Sequence, residues 1–342
     1  MTADTVNTAT KTPPPSPEKT RSFSALSFAE KYALILITCA VIIFFSVVPP
    51  ASAAFPTINN VNVVLGSNAV VALVALAVLF TLVSGVFDFS VGATAIASFV
   101  FSAGLQVEAQ APLWLAIVLP LALSVVIGLV NGLFVVRFKM NPFVTTLGMS
   151  TLLSGLTIWF CAGKTFVLPA SSALISFGSL RWFGLPAVFF LVILAAVIIW
   201  YVFEHTAFGR SLYAIGSNAS SARLVGVRVD RNVLVTFVIS ALIAGAAGIL
   251  QLGRLGSATA VDGGSLLFPA LTAVFLGATA IVPGFFNVIG TIVSAIFVSI
   301  VVSGLTLMGA SSWASNVFNG AILLIAVGLS TYLGRRNKAA GR

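Results

Sequence analysis

The chain has 342 residues, of which 59% are hydrophobic and only 7% are charged, and its mean hydropathy is +1.13. Soluble domains are about one quarter charged, so this composition excludes a soluble fold and predicts an all-α polytopic membrane protein. The net charge of +9 does not indicate nucleic-acid binding, because the basic residues lie between apolar runs and form no stripe on a soluble surface.

Two cysteines and one histidine are too few for the usual functional clusters. Cys39 and Cys161 both fall in apolar runs, which predicts packing roles and offers neither a disulfide framework nor metal-ligand spacing. With His205 as the single histidine, this chain supplies no catalytic triad and no histidine metal site. We therefore expect no enzymatic activity and no metal or cofactor in the chain itself.

The first segment, residues 1–30, is polar and rich in proline, so it is predicted to be a disordered cytoplasmic tail. The apolar run at 32–48 follows it and is long enough for a first membrane span. Ala51, Ser52 and Ala53 resemble a signal-peptidase site, which leaves a cleaved signal peptide as the alternative. The long polar segment before the run favours the span.

Nine further apolar runs each approach the ~20 residues that a helix needs to cross a bilayer. They lie at 61–83, 90–107, 112–136, 142–160, 184–203, 232–252, 266–283, 286–308 and 315–333. The sequence thus predicts about ten transmembrane helices within a transmembrane domain at 31–334, followed by a basic tail at 335–342.

The distribution of basic residues fixes an orientation for these spans. With the amino terminus inside the cell, all but three of the 17 Lys and Arg residues fall on the cytoplasmic side, as the positive-inside rule expects. The three exceptions are Lys164, Arg181 and Arg254. Both termini and the charged loop at 204–231 are therefore predicted to be cytoplasmic, in a multi-pass protein of the cell membrane.

Small residues four apart predict close helix contacts in lipid. The pairs are Gly128 with Gly132, Ala241 with Gly245, and Ala244 with Gly248. The spacing does not distinguish packing within one chain from packing across a dimer.

The loop at 204–231 is the one internal segment where charges gather. Asn218 is a good helix N-cap and Gly226 suits a left-handed C′ position, so a short helix of about two turns is predicted between them. Arg223 lies in its last turn, where a cation interacts favourably with the helix dipole. The flanking arginines are Arg210, Arg228 and Arg231. A basic, capped surface helix indicates a docking partner; the alternative is a charged loop that only holds the orientation of the spans.

Two polar residues lie near or within spans. Asp88, in a stretch with Gly85 and Gly92, could serve a proton or cation path at a broken helix; alternatively it satisfies the amides of the next helix. Asn131 could face a substrate path, or form a hydrogen bond between helices. A triplet at 163–165 resembles the end of a phosphate-binding loop, but Ile158 stands where that loop needs glycine. Energy for active transport must therefore come from an ion gradient or from another polypeptide.

Seven motifs occur in an order that resembles one known family, the membrane permease subunits of ATP-binding-cassette (ABC) importers of the ribose, xylose and arabinose type. The motifs are FDFSVG (Phe87–Gly92), GLVNGLFV (Gly128–Val135), NPFVTTLG (Asn141–Gly148), FGRSLYAIGSN (Phe208–Asn218), ARLVGV (Ala222–Val227), RLGSAT (Arg254–Thr259) and VFLGAT (Val274–Thr279). The resemblance as a whole extends from about residue 60 to 334. Permeases for branched-chain amino acids are the next nearest family.

The resemblance implies a permease domain that forms the pathway for a sugar or similar polar small molecule. It implies that 204–231 is a coupling loop that docks on a separate cytoplasmic ATP-binding subunit, which carries the ATP and Mg. It also implies a permease dimer and an extracytoplasmic substrate-binding protein. By position in the motifs, the coupling residues are Arg210, Asn218, Ala222, Arg223, Leu224 and Gly226. An ion-coupled secondary carrier remains the alternative from another class.

The chain departs from the family at three places. Ser220, Ser221 and Ala222 replace Glu-Ala-Ala in the coupling helix, which removes an acid that could pair with the ATPase. A glycine-rich basic segment is replaced by Val282–Phe286, and Pro269 stands at a position that is usually acidic. These departures indicate a divergent branch, so a pentose substrate does not follow.

Overall fold

The computed structural model describes residues 25–339, which form an almost entirely helical protein. The helices are α1 (Ala25–Val47), α2 (Ile58–Val83), α3 (Val91–Val107), α4 (Leu113–Val136), α5 (Pro142–Cys161), α6 (Ala173–Ser179), α7 (Ala187–His205), α8 (Ala207–Ser217), α9 (Ala219–Leu224), α10 (Val229–Leu255), α11 (Gly264–Gly277), α12 (Val288–Leu307) and α13 (Ser312–Ala339). The strands are β1 (Phe166–Val167), β2 (Arg181–Trp182), β3 (Leu185–Pro186) and β4 (Ser257–Ala258); β1 pairs with β4 and β2 with β3.

Each of the ten predicted apolar runs coincides with a helix. Within the described residues, seven helices are long and apolar enough to cross a membrane, namely α2, α4, α5, α7, α10, α12 and the Ser312–Gly334 part of α13. The apolar parts of α1, α3 and α11 are shorter. The structure therefore confirms an all-α polytopic protein, whereas the number of crossings and the sides of the termini stay predictions.

Two predicted boundaries differ from the observed ones. Helix α1 begins at Ala25, inside the segment 1–30 that was predicted to be a tail, and residues 1–24 lie outside the described part. Similarly, α13 continues to Ala339, past the start of the predicted basic tail at 335–342, of which 340–342 lie outside the described part.

Helix α11 ends at Gly277, six residues before the end of its apolar run, because a polar side chain holds the next segment in turns. The Asn287 side-chain amide donates hydrogen bonds to the carbonyls of Gly277 and Ala280, each at 3.2 Å, and to Phe285 at 3.1 Å. Its Oδ1 accepts from the Gly290 amide and so caps α12. One asparagine thus ends one helix and starts the next, an effect that hydropathy does not report.

Helix α2 is the central element, since 78% of the residues in its most apolar stretch are buried. It packs against α3, α7, α10, α11 and α12. Around it the helices approach closely through glycine. A methyl group at Gly128 of α4 would lie 2.6 Å from the Phe237 carbonyl of α10, and one at Gly248 would overlap the Ala95 carbonyl of α3. These small residues therefore pack within one chain, which resolves the question their spacing left open.

The turns between helices gather at two ends of the bundle. At one end, which contains the coupling loop, Lys139 pairs with Asp230 and the Tyr213 hydroxyl donates to the Phe286 carbonyl. At the opposite end, Lys164 pairs with Glu108. We call the first end the coupling-loop end.

Candidate coupling surface and the α2–α3 turn

Two consecutive helices, α8 and α9, project from the coupling-loop end, each with its own cap. The Thr206 hydroxyl accepts from the Gly209 amide at 3.2 Å and starts α8. Asn218 ends α8 and starts α9, because its Oδ1 accepts from the Ser221 amide at 3.0 Å. Gly226 follows α9 with a φ of +87°, which few side chains tolerate. The capped helix that the sequence predicts between Asn218 and Gly226 is therefore present.

The sequence reasoning missed α8. Its signal was available, because Phe208, Leu212 and Ile215 are spaced as one face of a helix and Thr206 precedes it as a cap. In the structure Leu212 and Ile215 are buried while Arg210 is exposed. The coupling loop is thus a pair of short rigid helices on a packed base.

The tip of α9 presents apolar side chains to solvent. Ala222 is buried against α10, whereas Leu224 is 89% exposed and Val225 is 79% exposed. Their exposure, at a charged loop outside the apolar spans, makes this tip a candidate interaction surface. Beside them is a cavity of 460 Å³ at the base of the loop. Its lining residues are Phe208, Ser211, Val225, Gly226, Val227, Arg228, Arg231, Asn232 and Val235.

Asp230, at the start of α10, forms ion pairs with two basic side chains. Arg223 of α9 lies 2.8 Å from Asp230 Oδ1, and Lys139, from the α4–α5 turn, lies 3.4 Å from the same oxygen. All three side chains are more than half exposed, so each pair contributes little to stability in water. What the arrangement does is orient α9 against α10 and the α4–α5 turn. Arg223 is therefore engaged within the chain, which the sequence reasoning did not foresee.

Asp88 and Asn131 lie at the same end and are linked by one serine. We call residues 84–90 the α2–α3 turn. Within it, Asp88 Oδ1 accepts from the Ser90 amide at 2.9 Å and from the Ser90 hydroxyl at 2.6 Å. The Asn131 side-chain amide donates to the Ser90 hydroxyl oxygen at 2.8 Å. All three side chains are buried. Asp88 thus satisfies an amide at the start of α3, and Asn131 joins α4 to that turn.

Burial raises the pKa of Asp88 to about 6, and the two hydrogen bonds from Ser90 oppose that rise. The carboxyl group is therefore mostly ionised at neutral pH. Desolvation, with the nearby Glu204 carboxylate as the smaller cause, raises the pKa of Tyr213 to about 12. The Tyr213 hydroxyl consequently keeps its proton for the Phe286 carbonyl.

The helical bundle defines a multi-pass membrane protein, and the capped pair α8–α9 is a candidate docking surface at one end. The family described as "Branched-chain amino acid transport system / permease component" matches residues 60–327. The chain belongs to this family of membrane transport permeases. It is a multi-pass protein of the inner membrane, as the apolar helices and the permease relatives agree.

Curated relatives identify the sugar-import branch. The chain is 30% identical over 311 residues to the Ribose import permease protein RbsC of Escherichia coli K12, covering 90% of this chain and 95% of that protein. It is 33% identical to RbsC of Bacillus subtilis, covering 78% and 83%. It is 28% identical to the Galactose/methyl galactoside import permease protein MglC of Escherichia coli K12, covering 90% and 95%. No solved structure matches the chain.

These matches confirm the predicted resemblance to sugar-type ABC importer permeases and support that class over an ion-coupled carrier.

Proposed function

We propose that this chain is the transmembrane permease subunit of an ATP-driven importer and forms the pathway for a sugar or a similar polar small molecule. ATP is hydrolysed in a separate cytoplasmic subunit that binds Mg, and an extracytoplasmic protein delivers the substrate. Relatives named as ribose and galactose import permeases, matched over nearly their whole length, support the substrate class.

The observation that carries the proposal is the exposed apolar tip of α9 on a rigid, doubly capped support. Leu224 and Val225 protrude beside a cavity, which is the form of a helix that enters a groove on a partner. ATP-driven closure of a partner can change this chain's conformation only through such differential contacts. The proposal assigns coupling to the residues predicted for it, which lie on or beside this surface: Arg210, Asn218, Ala222, Arg223, Leu224 and Gly226.

A permease dimer accompanies this proposal. Only 6% of the residues in the most apolar stretch of α13 are buried, and only 22% of those in the corresponding stretch of α5. Faces of this kind need lipid or a second permease copy to cover them. We propose that a second copy, or a related permease, covers part of these two helices.

The test is substrate uptake into liposomes that contain the permease, its ATP-binding subunit and the delivery protein. We expect uptake of a labelled ribose or galactose that requires ATP and ceases when the ATP site of the partner is disabled. An ionophore at constant ATP should leave uptake unchanged. Uptake that survives loss of the ATP site would reject the proposal.

The family description also names branched-chain amino acids, so labelled leucine is the competing substrate in the same assay. Uptake of leucine instead of the sugars would assign the chain to that branch of the family.

A further inference from the structure

The α2–α3 turn packs against helix α8. A methyl group at Gly216 of α8 would overlap the Val83 carbonyl at the end of α2, and a methyl group at Gly85 would lie 3.4 Å from the Gly216 Cα. Gly85 has a φ of +78°, which brings the turn against α8. Val86 packs in the same apolar cluster as Ile215. Helix α8 therefore contacts this turn directly.

The same turn contacts three further helices. The Phe89 amide donates to the Thr146 hydroxyl of α5 at 3.0 Å, and the Phe89 ring meets the Phe143 ring of α5 edge-on at 4.9 Å. The Phe87 ring stacks on Phe275 of α11 at 6.1 Å. Ser90 binds Asn131 of α4, as described above. Seven residues thus join α8 to α4, α5 and α11.

Asp88 is the only ionisable residue in the turn, and its side chain makes hydrogen bonds within the turn. It accepts twice from Ser90, whose hydroxyl oxygen in turn accepts from Asn131. Because the Ser90 hydroxyl is directed to Asp88, it does not cap α3. The carboxylate is buried and forms no ion pair with another described residue, so its contacts are with the turn itself.

We propose that Asp88 is a positioning residue for coupled transport. With Ser90 it keeps the α2–α3 turn rigid, so that a displacement of α8 by the ATP-binding subunit moves α4, α5 and α11. This rests on the proposed function. In a turn without these bonds, α8 moves while the membrane helices lag behind. ATP hydrolysis then continues with less substrate transported.

The readout is the number of substrate molecules taken up per ATP hydrolysed, measured in liposomes with the complete transporter. We expect Asp88→Ala to lower this ratio about tenfold, the loss that corresponds to one or two hydrogen bonds to a charged group. The ATPase rate should change by less than about twofold, because α8 and α9 keep their caps. Asp88→Asn retains an acceptor of the same shape and should restore most of the ratio.

Two further variants keep the test decisive. Ser90→Ala removes the hydroxyl bond to Asp88 and the bond from Asn131 but keeps the bond from the Ser90 amide to Asp88, and it should also lower the ratio. Asp88→Ala combined with Ser90→Ala should lose less than the product of the two single losses, since both variants break the same hydroxyl bond. If Asp88→Ala does not fold, Asp88→Asn and Ser90→Ala give the answer. Glu108→Ala, in an exposed ion pair at the opposite end, is the control and should leave the ratio unchanged.

An unchanged ratio in Ser90→Ala, or uptake and ATPase falling together in Asp88→Ala, would overturn the positioning role. Absence of ATP-dependent uptake in the unmodified transporter would reject the proposed function instead. The two failures are therefore distinguishable.

Discussion

Asp230 and Arg223 show how a single contact changes the interpretation of a residue. From sequence, Arg223 is a cation in the last turn of a predicted docking helix, where it interacts favourably with the helix dipole. In the structure it already binds Asp230 at 2.8 Å, so part of its role is to orient α9. Seven positions separate them, across the end of one helix and the start of another, which no local spacing rule covers. Asp88 and Asn131 are 43 positions apart in sequence, and both form a hydrogen bond with the Ser90 hydroxyl. No local spacing rule predicts this contact either.

A pair of variants separates orientation from docking. Arg223→Glu places a second acid beside Asp230, and we expect it to lower the amount of ATP-binding subunit that co-purifies in mild detergent by about tenfold, without unfolding the spans. Asp230→Asn frees Arg223 but keeps its charge, and should reduce co-purification by no more than about threefold, because exposed ion pairs are weak. Equal losses in the two variants would show that Arg223 acts only through its bond to Asp230. If the Arg223→Glu variant co-purified as much ATP-binding subunit as the unmodified chain, Arg223 would have no role in docking.

At the scale of elements, hydropathy predicted ten of the thirteen described helices, since lipid requires every span to satisfy its own backbone. It could not predict where polar side chains interrupt an apolar run, as Asn287 does after α11. Nor did it show α8, whose composition is mixed and whose buried face depends on α2 and α10. Helices that form because they cross lipid can therefore be predicted from sequence. Helices and turns that depend on contacts with neighbouring elements can be identified only from the folded structure.

Close helix packing makes a prediction about two glycines that look alike in sequence. Gly248 of α10 faces the Ala95 carbonyl of α3 with no room for a methyl group, whereas Gly155 of α5 has open space. Gly248→Ala should destabilise the protein by about 1–3 kcal/mol through overpacking. Gly155→Ala should be neutral or stabilising, because alanine is the better helix former. Thermal unfolding in detergent measures both, and a Gly248→Ala protein as stable as the original would contradict this packing.

For the whole molecule, the two ends of the bundle differ in charge and in connectivity. Near the start of the chain, Leu34 packs with Ala280 of the α11–α12 turn, and Gly334 in α13 lies beside the Gly284 carbonyl. Leu34 of α1 and Gly334 of α13 therefore both lie near the α11–α12 turn, at the coupling-loop end. Arg210, Arg228 and Arg231 lie there too, which the positive-inside rule assigns to the cytoplasm.

The orientation is testable by labelling single cysteines in intact cells with a membrane-impermeant maleimide, after Cys39 and Cys161 are replaced by alanine. Ser176→Cys in α6 is exposed at the opposite end and should be labelled from outside. Ser220→Cys in α9 is equally exposed but should react only after the cells are opened. The reverse pattern would invert the orientation and place the coupling loop away from cytoplasmic ATP. Because the α2–α3 turn is fixed to α8, that result would reject the proposed docking and the role of Asp88 together.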